Sequence, residues 1–578
     1  MSPEQIILLL LLAGLLCAFA VDRFRIELVA LSGLAAALLL GLVPLTSAFS
    51  GFANQAVITL AELLILTRLI SRSRLMDGIT RRLATITESE PVLLATICGL
   101  AALTSVFINN IGALALWLPV ALALCKPGET KPARLLMPLS FATLLGGTCS
   151  LIGTPANLVV ASFDQSSTGT SLGFFDIAIG GLPATLVGLA FLVLAGPRIL
   201  GRSSKGTEKE TGANESAYVT ELRIPTGSSL CGRSFAEAEN DGWQIHSHLR
   251  DGRHVFGHRE RMRIEPGDVL LVEAPAAAIE ALTVSGDTEF NSAPSGSGDV
   301  IEAIVLPQSM IVGSTPDTVA AFSSRNIALV AIATRHQRIE GRLSDVQFRP
   351  SDIVMLHGEP DAIAAALYET DCLPLAPQSF ESPAKGSWVS LAAFAVAVLL
   401  AATNLLPPEI AFGGAILALS LFGAANLRDL VADLNWPILI MLAAMIPIGE
   451  AVATTGLANA SAEAVIDMIG SDHPTLLLAS LLFCAVVLTP FVNNVSAAVA
   501  LAPIAIAVAK GAGVDPEPYL IAVAIGVSLD FLTPFGHHNN ALVMSVGGYR
   551  FLDFPRLGVP LVLLAGGAAI LGIHIVYF

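Results

Sequence analysis

The sequence predicts a polytopic α-helical membrane protein in two halves, with a soluble α+β domain inserted between them. The 578 residues are 54% hydrophobic and 13% charged, with a mean hydropathy of +0.72, which is too apolar for a water-soluble protein. Many apolar runs approach the roughly 20 residues that span a bilayer. One polar stretch at about 206–386 separates two apolar regions, and each region carries the same pair of polar motifs.

The first apolar run and the overall composition exclude several classes of protein. The run from Gln5 to Ala20 has no basic residue before it, so we expect a retained membrane helix and not a cleaved signal peptide. The seven cysteines are scattered without a CxxC pair, which favours neither a disulfide framework nor a zinc site. The net charge of -16 gives no reason to expect nucleic acid binding.

One polar motif occurs twice at the same spacing. Asn109-Asn110 and Asn493-Asn494 are each followed by eight apolar or small residues and then a proline. They lie in the stretches LTSVFINNIGALALWLP and LTPFVNNVSAAVALAP. Because an unpaired polar group inside an apolar segment costs several kcal/mol, these amides are expected to serve a site or one another.

A second pair of motifs interrupts a later hydrophobic segment in each half. The stretch GGTCSLIGTPANLVV spans 146–160, and LDFLTPFGHHNNALV spans 529–543. Pro and Gly interrupt helices, and a broken helix at bilayer depth is tolerated only where it lines a cavity or is buried in protein. Two halves, each with a polar tip and a broken helix, indicate a secondary transporter with its site where the two repeats meet.

These four elements supply ligands for a cation. A transported cation loses its water and needs oxygen ligands, which amides, hydroxyls and freed carbonyls provide without a permanent charge. We therefore predict one cation cage in each half. The ligands would be Ser105, Asn109, Asn110, Gly153 and Thr154 in the first half, and Thr489, Asn493, Asn494 and Thr533 in the second.

The same elements can hold an anion between the two cages. Helix N-termini and hairpin tips present free N–H groups and a positive dipole end, which suits a carboxylate or sulfate. The alternative is that the asparagine pairs join helices in lipid, but the duplicated spacing favours a site. The predicted substrate-binding residues are Asn109, Asn110, Thr154, Pro155, Asn157, Asn493, Asn494, Thr533, Pro534 and Asn540.

Three ionisable residues lie at the second break. Asp530 precedes it and is a candidate for the cation or proton pathway, since an ionisable residue inside a membrane segment is usually functional or paired. His537 and His538 are adjacent and point to different faces of a helix, so one metal ion held by both is not expected. Substrate contact and loop packing both remain open for the two histidines.

The polar middle of the chain lies between membrane halves at 1–205 and 387–578 and is itself a repeat. Each copy has an alternating strand that runs into a proline, then a Pro-Gly-Asp or Pro-Ser-Asp turn, a buried strand and a short helix. We place the two units at 215–285 and 300–375. The stretch TEFNSAPSGSGD between them is expected to be a flexible linker.

Basic residues in the loops predict the orientation, because cytoplasmic loops carry an excess of Lys and Arg. The loops rich in Lys and Arg fall on the cytoplasmic side if the insert is cytoplasmic, both termini are outside, and 92–124 and 474–509 are re-entrant hairpins that enter from opposite sides. Opposite entry of equivalent elements means inverted-topology repeats, with about ten spanning helices and two hairpins. The inside loops then hold Arg23, Arg25, Arg81, Arg82, Lys126, Lys131, Arg134, Arg198, Arg202, Lys205, Lys385, Arg428, Arg550 and Arg556, while Lys510 falls outside.

These motifs resemble those of the divalent anion:sodium symporter family, also called the SLC13 or citrate-transporter-like group of the ion transporter superfamily. The resemblance rests on the paired tip motifs, the GGxxxLIGTPAN loop and its partner TPFGxxxN, and it covers nearly the whole chain. The two PGDVLLVE-type units resemble the C-terminal regulator-of-potassium-conductance domain, called TrkA-C. Their insertion between membrane halves resembles the sulfate-permease-like branch.

The resemblance implies a homodimer in which each protomer has a scaffold and a transport subdomain and moves its substrate by an elevator motion. It also implies sodium ligation by the hairpin asparagines and at the Gly153-Thr154 and Thr533-Pro534 breaks. With the cage hydroxyls included, the expected sodium ligands are Ser105, Asn110, Gly153, Thr489, Asn494 and Thr533.

The chain departs from the family pattern at both tips. Dicarboxylate carriers of the family have Ser-Asn-Thr there, whereas this chain has Asn-Asn-Ile beginning at Asn109 and Asn-Asn-Val beginning at Asn493. Loss of the hydroxyls removes hydrogen-bond donors to a carboxylate. The departure favours a smaller inorganic anion.

Two functions remain open from the sequence. The favoured one is a plasma (cell inner) membrane symporter of sodium and a small divalent anion, sulfate first and dicarboxylate second, with no enzymatic activity and no organic cofactor. The rival is a cation/proton antiporter or a regulated ion channel gated by the insert, although the sequence lacks a TVGYG filter. It also lacks the GxxxxGK[ST] motif of ATP-driven transport. The insert is either a passive dimerisation module or a sensor for a cytosolic small molecule or nucleotide.

Overall fold

Helices make up most of the described chain, which divides into two units: Met1–Arg202 together with Pro383–Phe578, and Ser203–Ser382. The computed structural model describes residues 2–21, 25–71, 89–124, 132–169, 172–204, 217–235, 237, 243–250, 253–254, 263–275, 278–279, 287–291, 299–306, 309–334, 342–350, 352–370, 372–375, 387–423, 431 and 434–578. Several basic residues used to predict the orientation lie outside these ranges, namely Arg23, Arg81, Arg82, Lys126, Lys131, Lys205, Lys385 and Arg428.

The first two helices of the first membrane half are apolar on nearly all sides, as helices buried in lipid and protein are. Short 3₁₀ turns at Leu45–Ser47 and Ser50–Ala53 precede the third. The described helices are α1 (Pro3–Val21), α2 (Ile26–Leu39), α3 (Gln55–Ser71), α4 (Glu90–Phe107), α5 (Asn110–Ala123), α6 (Pro132–Gly147), α7 (Pro155–Thr168) and α8 (Ala178–Ser204).

The second unit contains one nine-stranded sheet with the order β3-β2-β4-β1-β7-β8-β6-β9, in which β5 also pairs with β1. Neighbouring strands in this sheet are antiparallel. The strands and helices are β1 (Ala217–Arg223), β2 (Gln244–Arg250), β3 (Arg253–His254), β4 (Val269–Pro275), β5 (Glu289–Phe290), β6 (Asp299–Val305), α9 (Ala320–Ser323), β7 (Ala328–Ala333), β8 (Ile353–Gly358), α10 (Pro360–Glu369) and β9 (Cys372–Pro374).

The same aspartate turn occurs twice in this unit. Asp268 Oδ2 accepts a hydrogen bond from the Glu265 N–H at 2.8 Å, and Asp352 Oδ2 accepts one from the Arg349 N–H at 2.8 Å. An aspartate that binds a nearby backbone N–H stabilises a tight turn. Each turn leads directly into a buried strand, β4 or β8, as the sequence pattern of Pro-Gly-Asp and Pro-Ser-Asp indicates.

Asp268 additionally has two side-chain partners on β2. Arg250 donates from Nε to Asp268 Oδ1 at 2.8 Å and from a terminal nitrogen to Oδ2 at 2.9 Å, and His248 Nε2 lies 2.9 Å from Oδ2. Burial raises the pKa of the Asp268 carboxyl, but the hydrogen bonds from Arg250 and the Glu265 N–H outweigh it and hold that pKa below its ordinary value.

Strand pairing crosses the predicted boundary between the two copies. β1 of the first copy pairs with β7 of the second, and the Thr220 hydroxyl donates to the Val330 carbonyl at 2.6 Å. Within the stretch predicted as a linker, Glu289–Phe290 forms β5, while 292–298 lie outside the described residues. The two copies therefore share one sheet.

The second membrane half repeats the helix pair and the broken helix of the first. The helix pair formed by Pro474–Leu488 and Asn494–Ala512 is interrupted before Asn494, just as α4–α5 is interrupted before Asn110. Its helices are α11 (Ser387–Ala402), α12 (Pro408–Leu421), α13 (Trp436–Thr454), α14 (Leu457–Ile469), α15 (Pro474–Leu488), α16 (Asn494–Ala512), α17 (Glu517–Ser528), α18 (His538–Gly547) and α19 (Asp553–Tyr577).

Five helical segments in the described ranges are long and apolar enough to cross a membrane, judged by length and composition. Shorter apolar helices, among them both arms of α4–α5, accompany them. The count of ten spanning helices and the re-entrant course of the two helix pairs stay predictions. The five segments are Leu45–Thr67, Ala178–Leu200, Trp436–Thr454, Asn494–Ala512 and Asp553–Tyr577.

Glycines allow each broken helix to approach the first helix of the neighbouring pair. A Cβ on Gly146 of α6 would lie 2.1 Å from the Ala102 carbonyl oxygen of α4. A Cβ on Gly526 of α17 would lie 2.8 Å from the Leu482 carbonyl oxygen of α15. Because both distances are too short for any side chain, glycine is required for this packing, which places each break beside a polar tip.

Candidate functional site

The first asparagine of each pair caps a helix. Asn109 Oδ1 accepts a hydrogen bond from the Gly112 N–H at 2.7 Å, and Asn493 Oδ1 accepts one from the Ser496 N–H at 2.8 Å. Such a cap satisfies one of the N–H groups that the start of a helix leaves unpaired. These two oxygens, predicted as cation ligands, are thus engaged in fixing the starts of α5 and α16.

The second asparagine of each pair is held by a hydroxyl five residues upstream. Ser105 Oγ donates to Asn110 Oδ1 at 2.8 Å, and Thr489 Oγ1 donates to Asn494 Oδ1 at 2.8 Å. A hydroxyl that donates its hydrogen keeps its lone pairs, and an amide oxygen that accepts one hydrogen bond keeps a second lone pair. Each half therefore presents two neighbouring oxygens that can coordinate a cation.

Two further asparagines close the breaks with the same geometry. Asn157 Nδ2 donates to the carbonyls of Gly147 and Ser150 at 3.1 and 2.8 Å. Asn540 Nδ2 donates to the carbonyls of Asp530 and Thr533 at 2.8 and 3.2 Å. In both halves the acceptors lie ten and seven residues before the asparagine, so Gly147 corresponds to Asp530 and Ser150 to Thr533.

A hydroxyl at each break accepts a hydrogen bond from the backbone N–H of the glycine three residues later. The Gly153 N–H donates to Ser150 Oγ at 3.1 Å, and the Gly536 N–H donates to Thr533 Oγ1 at 3.1 Å. Ser150 Oγ in turn donates to the Val106 carbonyl at the end of α4. This bond ties the first break to the first tip.

The helices that follow the breaks also begin with matched caps. Thr154 Oγ1 accepts from the Ala156 N–H at 3.1 Å at the start of α7. His537 Nδ1 accepts from the Asn539 N–H at 3.1 Å at the start of α18. His537 therefore caps α18, and contact of His537 or His538 with the substrate stays an open prediction.

Hydrogen bonds between the two halves join the first tip to the second break. Asn539 Nδ2 donates to the Asn110 carbonyl at 2.8 Å and to Thr143 Oγ1 at 2.9 Å. Ser140 Oγ on α6 donates to Asn540 Oδ1 at 2.8 Å. On the other side of the site, α16 packs against α7. The two tips and the two breaks thus belong to one polar cluster inside an apolar unit.

The first tip and the first break are in close contact. A Cβ on Gly147 would lie 2.2 Å from Asn110 Oδ1. A side chain at this position would overlap the amide, so glycine is required for Asn110 to reach the break. This contact brings Asn110 and its partner Ser105 beside the Gly153-Thr154 segment.

Several buried oxygens of the cluster make no hydrogen bond within the described part of the chain. They are Asn157 Oδ1, Asn539 Oδ1, Ser496 Oγ and both carboxylate oxygens of Asp530. A buried polar atom without a partner is costly, so each of these oxygens calls for a bound water, ion or other ligand. The concentration of such atoms at the tips and breaks identifies this cluster as the candidate site.

Four helix N-termini meet the cluster. The helices α5, α7, α16 and α18 all begin at a tip or a break. Each N-terminus carries a partial positive charge and unpaired N–H groups, which favour an anion. The cluster therefore combines oxygen ligands for a cation with backbone donors for an anion.

Sequence reasoning missed three hydroxyls of this cluster: Ser140, Thr143 and Ser150. Ser150 could have been found, because it lies seven residues before Asn157, as Thr533 lies before Asn540. Ser140 and Thr143 carried no such signal, since their partners are on the other half of the chain. Pro155 is the first residue of α7, and Pro534 lies in the second break.

Comparison with known families gives a match over nearly the whole chain. The family model described as citrate transporter matches residues 16–526 and 458–578. The chain belongs to the citrate transporter family. It is accordingly a membrane transporter, in agreement with the described helical segments that are long and apolar enough to cross a membrane.

Individual relatives of this citrate transporter family member include proteins named as transporters. It is 25% identical to an uncharacterized transporter of Synechocystis over 97% of this chain and 95% of the relative. It is 28% identical to a putative sulfur deprivation response regulator of Chlamydomonas reinhardtii over 91% of this chain and 94% of the relative. Sodium/sulfate cotransporter 2 of the same alga is 24% identical over 44% of this chain and 32% of the relative.

Proposed function

We propose that this protein is a secondary active transporter that couples sodium to a small divalent anion, with sulfate as the first candidate and dicarboxylates second. The main support is the hydrogen-bond arrangement that occurs once in each half. A hydroxyl holds an asparagine oxygen at each tip, and an asparagine closes each break. Two similar oxygen-rich sites suit two cations bound on either side of one anion.

The proposed sodium sites use the oxygens that the tips and breaks leave available. Sodium, once stripped of water, is stabilised by hard oxygen ligands such as amides, hydroxyls and carbonyls. Ser105 and Asn110 offer two such oxygens in the first half, and Thr489 and Asn494 offer two in the second. The sites would be completed by Gly153 in the first break and Thr533 in the second.

The proposed anion site uses the donors of the same cluster. The starts of α5, α7, α16 and α18 provide N–H groups and positive dipole ends. The residues after Asn110 and Asn494 are an isoleucine and a valine, so neither tip offers a hydroxyl to a carboxylate at that position. The names of the sodium/sulfate cotransporters among the relatives agree with sulfate as the first candidate.

We further propose that the two halves are inverted repeats with re-entrant hairpins at 92–124 and 474–509, working as a homodimer by an elevator motion. The matched tips and breaks of the two halves support this arrangement, since such repeats place the site where they meet. The insert is proposed to be cytoplasmic and to consist of two TrkA-C-like units at 215–285 and 300–375. Its duplicated aspartate turn supports that division.

The proposal is tested by uptake of radiolabelled sulfate into proteoliposomes that contain the purified protein. We expect uptake to fall at least about tenfold when choline or potassium replaces external sodium, because the two proposed cation sites would be empty. Unlabelled succinate in excess measures the preference for sulfate over dicarboxylate. Uptake that persists without sodium and follows a pH gradient would contradict sodium coupling and favour proton coupling.

A further inference from the structure

We infer that the Asp530 carboxylate is a ligand of the second-half cation site, so that the two cation sites differ in charge. This inference rests on the proposed cation-coupled function and adds a charged ligand to it. The Asn157 and Asn540 hydrogen bonds pair Gly147 with Asp530, since each contributes the carbonyl ten residues before its asparagine. The first half thus has a glycine where the second half has a carboxylate.

The surroundings of Asp530 leave its charge without a partner from the protein. The residue is 0% exposed, and neither carboxylate oxygen has a hydrogen bond within the described chain. No ion pair recorded among the described residues includes it. A buried, unpaired carboxylate is very costly, so its charge is either neutralised by a proton or balanced by a cation from solution.

The position of the carboxylate suits a cation. A Cβ on Gly536 would lie 2.2 Å from Asp530 Oδ1 and 2.4 Å from Oδ2, so the carboxylate lies against the backbone of the second break. That break also holds Thr533 through the Gly536 N–H. Asp530 follows the C-terminal end of α17 at Ser528, and the partial negative charge of a helix C-terminus also favours a cation.

The second tip reaches the same segment. Thr489 Oγ1, which holds Asn494, lies 3.0 Å from the Val527 carbonyl oxygen, three residues before Asp530. The second tip therefore brings hydroxyl and amide oxygens to the chain segment that leads into Asp530 and its carboxylate. Such oxygens are ligands for a small hard cation. The neutral site of the first half lacks the carboxylate, so the second-half site binds the cation more tightly.

Sodium titration of thermal unfolding tests this inference on the purified full-length protein, with choline keeping the ionic strength constant. The variant is Asp530→Asn, and the matched control is Asp164→Asn, which changes another buried carboxylate of the same membrane unit away from the tips and breaks. We expect Asp530→Asn to raise the half-saturating sodium concentration at least tenfold. The control should stay within twofold of wild type.

Gly536→Ala provides a second variant that keeps the charge. Its new methyl group would occupy the space of the carboxylate, so the half-saturating sodium concentration should again rise at least tenfold. If Asp530→Asn does not yield monodisperse protein, this variant decides. The inference would be overturned if Asp530→Asn, or Gly536→Ala where it replaces Asp530→Asn, kept the half-saturating sodium concentration of wild type.

Failure of the inference and failure of the proposed function are distinguishable. Suppose that sodium stabilises the wild-type protein and drives its sulfate uptake, while the sodium titration of Asp530→Asn is unaltered. That result would overturn the role of Asp530 and leave the proposed function standing. Wild-type protein that sodium does not stabilise at all would overturn the inferred site directly. Sodium-independent sulfate uptake in the same preparation would then count separately against the proposed coupling.

Discussion

At the scale of single residues, the two asparagines of each tip have different tasks. Asn109 and Asn493 use their side-chain oxygens to cap helices. Asn110 and Asn494 have their oxygens held by a hydroxyl instead. Because a cap costs only about 1 kcal/mol when removed, loss of the second asparagine should affect the site more specifically than loss of the first.

Asn110→Ala and Asn494→Ala are each predicted to lower sodium-dependent sulfate uptake at least about tenfold, because each removes a proposed cation ligand. Radiolabelled uptake and size-exclusion profiles of the same preparations measure activity and folding together. Asn54→Ala is the matched control, since Asn54 caps α3 by accepting from the Ala56 N–H. Uptake near wild type in both tip variants would refute the assignment of the tips.

Residue roles were only partly predictable from the sequence. The repeated spacing located both tips and both breaks, because interrupted helices and buried amides leave a signal in a single chain. The capping by Asn109 and His537 and the bonds from Ser140 and Asn539 carried no such signal. The last two depend on partners about 400 residues away, which local spacing does not identify.

At the scale of helices and strands, close contacts at glycine determine how the tips meet the breaks. Gly147 ends α6 against the Asn110 amide, and Gly146 brings the same helix onto α4. The sequence placed these two glycines at the start of the motif that interrupts the helix, without assigning them a role. The structure adds that they are required where two elements approach too closely for a side chain.

Gly147→Ala is predicted to reduce uptake at least about tenfold and to destabilise the protein by about 1–3 kcal/mol, because the added Cβ would overlap Asn110 Oδ1. Uptake and thermal unfolding of the full-length protein are the measurements. Gly99→Ala, on α4, is the control, since a Cβ there has open space around it. Equal uptake in the two variants would show that the contact at Gly147 does not matter for transport.

In the insert, Asp268→Asn is predicted to weaken the β2–β4 pairing by about 2 kcal/mol, because Arg250 loses the buried one of its two carboxylate partners and keeps only the exposed Glu265. Hydrogen exchange of these strands in the full-length protein, corrected for intrinsic rates, measures the change. Asp361→Asn, at an exposed position at the start of α10, is the control and should change little. Unaltered protection in Asp268→Asn would mean that the ion pair contributes no stability.

The same aspartate predicts a pH dependence of the insert. Hydrogen bonds hold the folded pKa of Asp268 below its ordinary value, which in an unfolded chain is about 3.9. Its stabilising contribution is therefore complete above that pH and is lost as the pH falls through the folded pKa. Protection of β4 in wild type should then be constant from about pH 7 to 5 and decline below about pH 4, with a smaller decline in Asp268→Asn.

At the scale of the whole molecule, two membrane halves of similar design are separated by the insert. The sequence predicted this order from composition and repeated motifs. It did not predict that β1 and β7 join the two copies of the insert in one sheet, because strand pairing depends on contacts distant in sequence. A regulatory role for the insert requires that a ligand bind it with different affinity in two states of the transporter.

Replacement of residues 210–380 by a short linker tests that role. If the insert is a sensor, the variant should retain basal sulfate uptake and lose any response to a cytosolic small molecule or nucleotide. Uptake with and without candidate ligands, and thermal-shift screening of the full-length protein, are the measurements. Loss of folding or dimerisation on deletion, with no ligand found, would identify the insert as a passive structural module.

The dependence of initial sulfate uptake on sodium concentration tests most directly the claim that two cation sites flank one anion. Because both sites must fill before the anion is held, the activation curve in proteoliposomes is predicted to be sigmoidal, with a Hill coefficient above 1. Asn110→Ala and Asn494→Ala should each remove the sodium activation. A hyperbolic curve, or sulfate uptake that does not depend on sodium, would contradict the two-site arrangement.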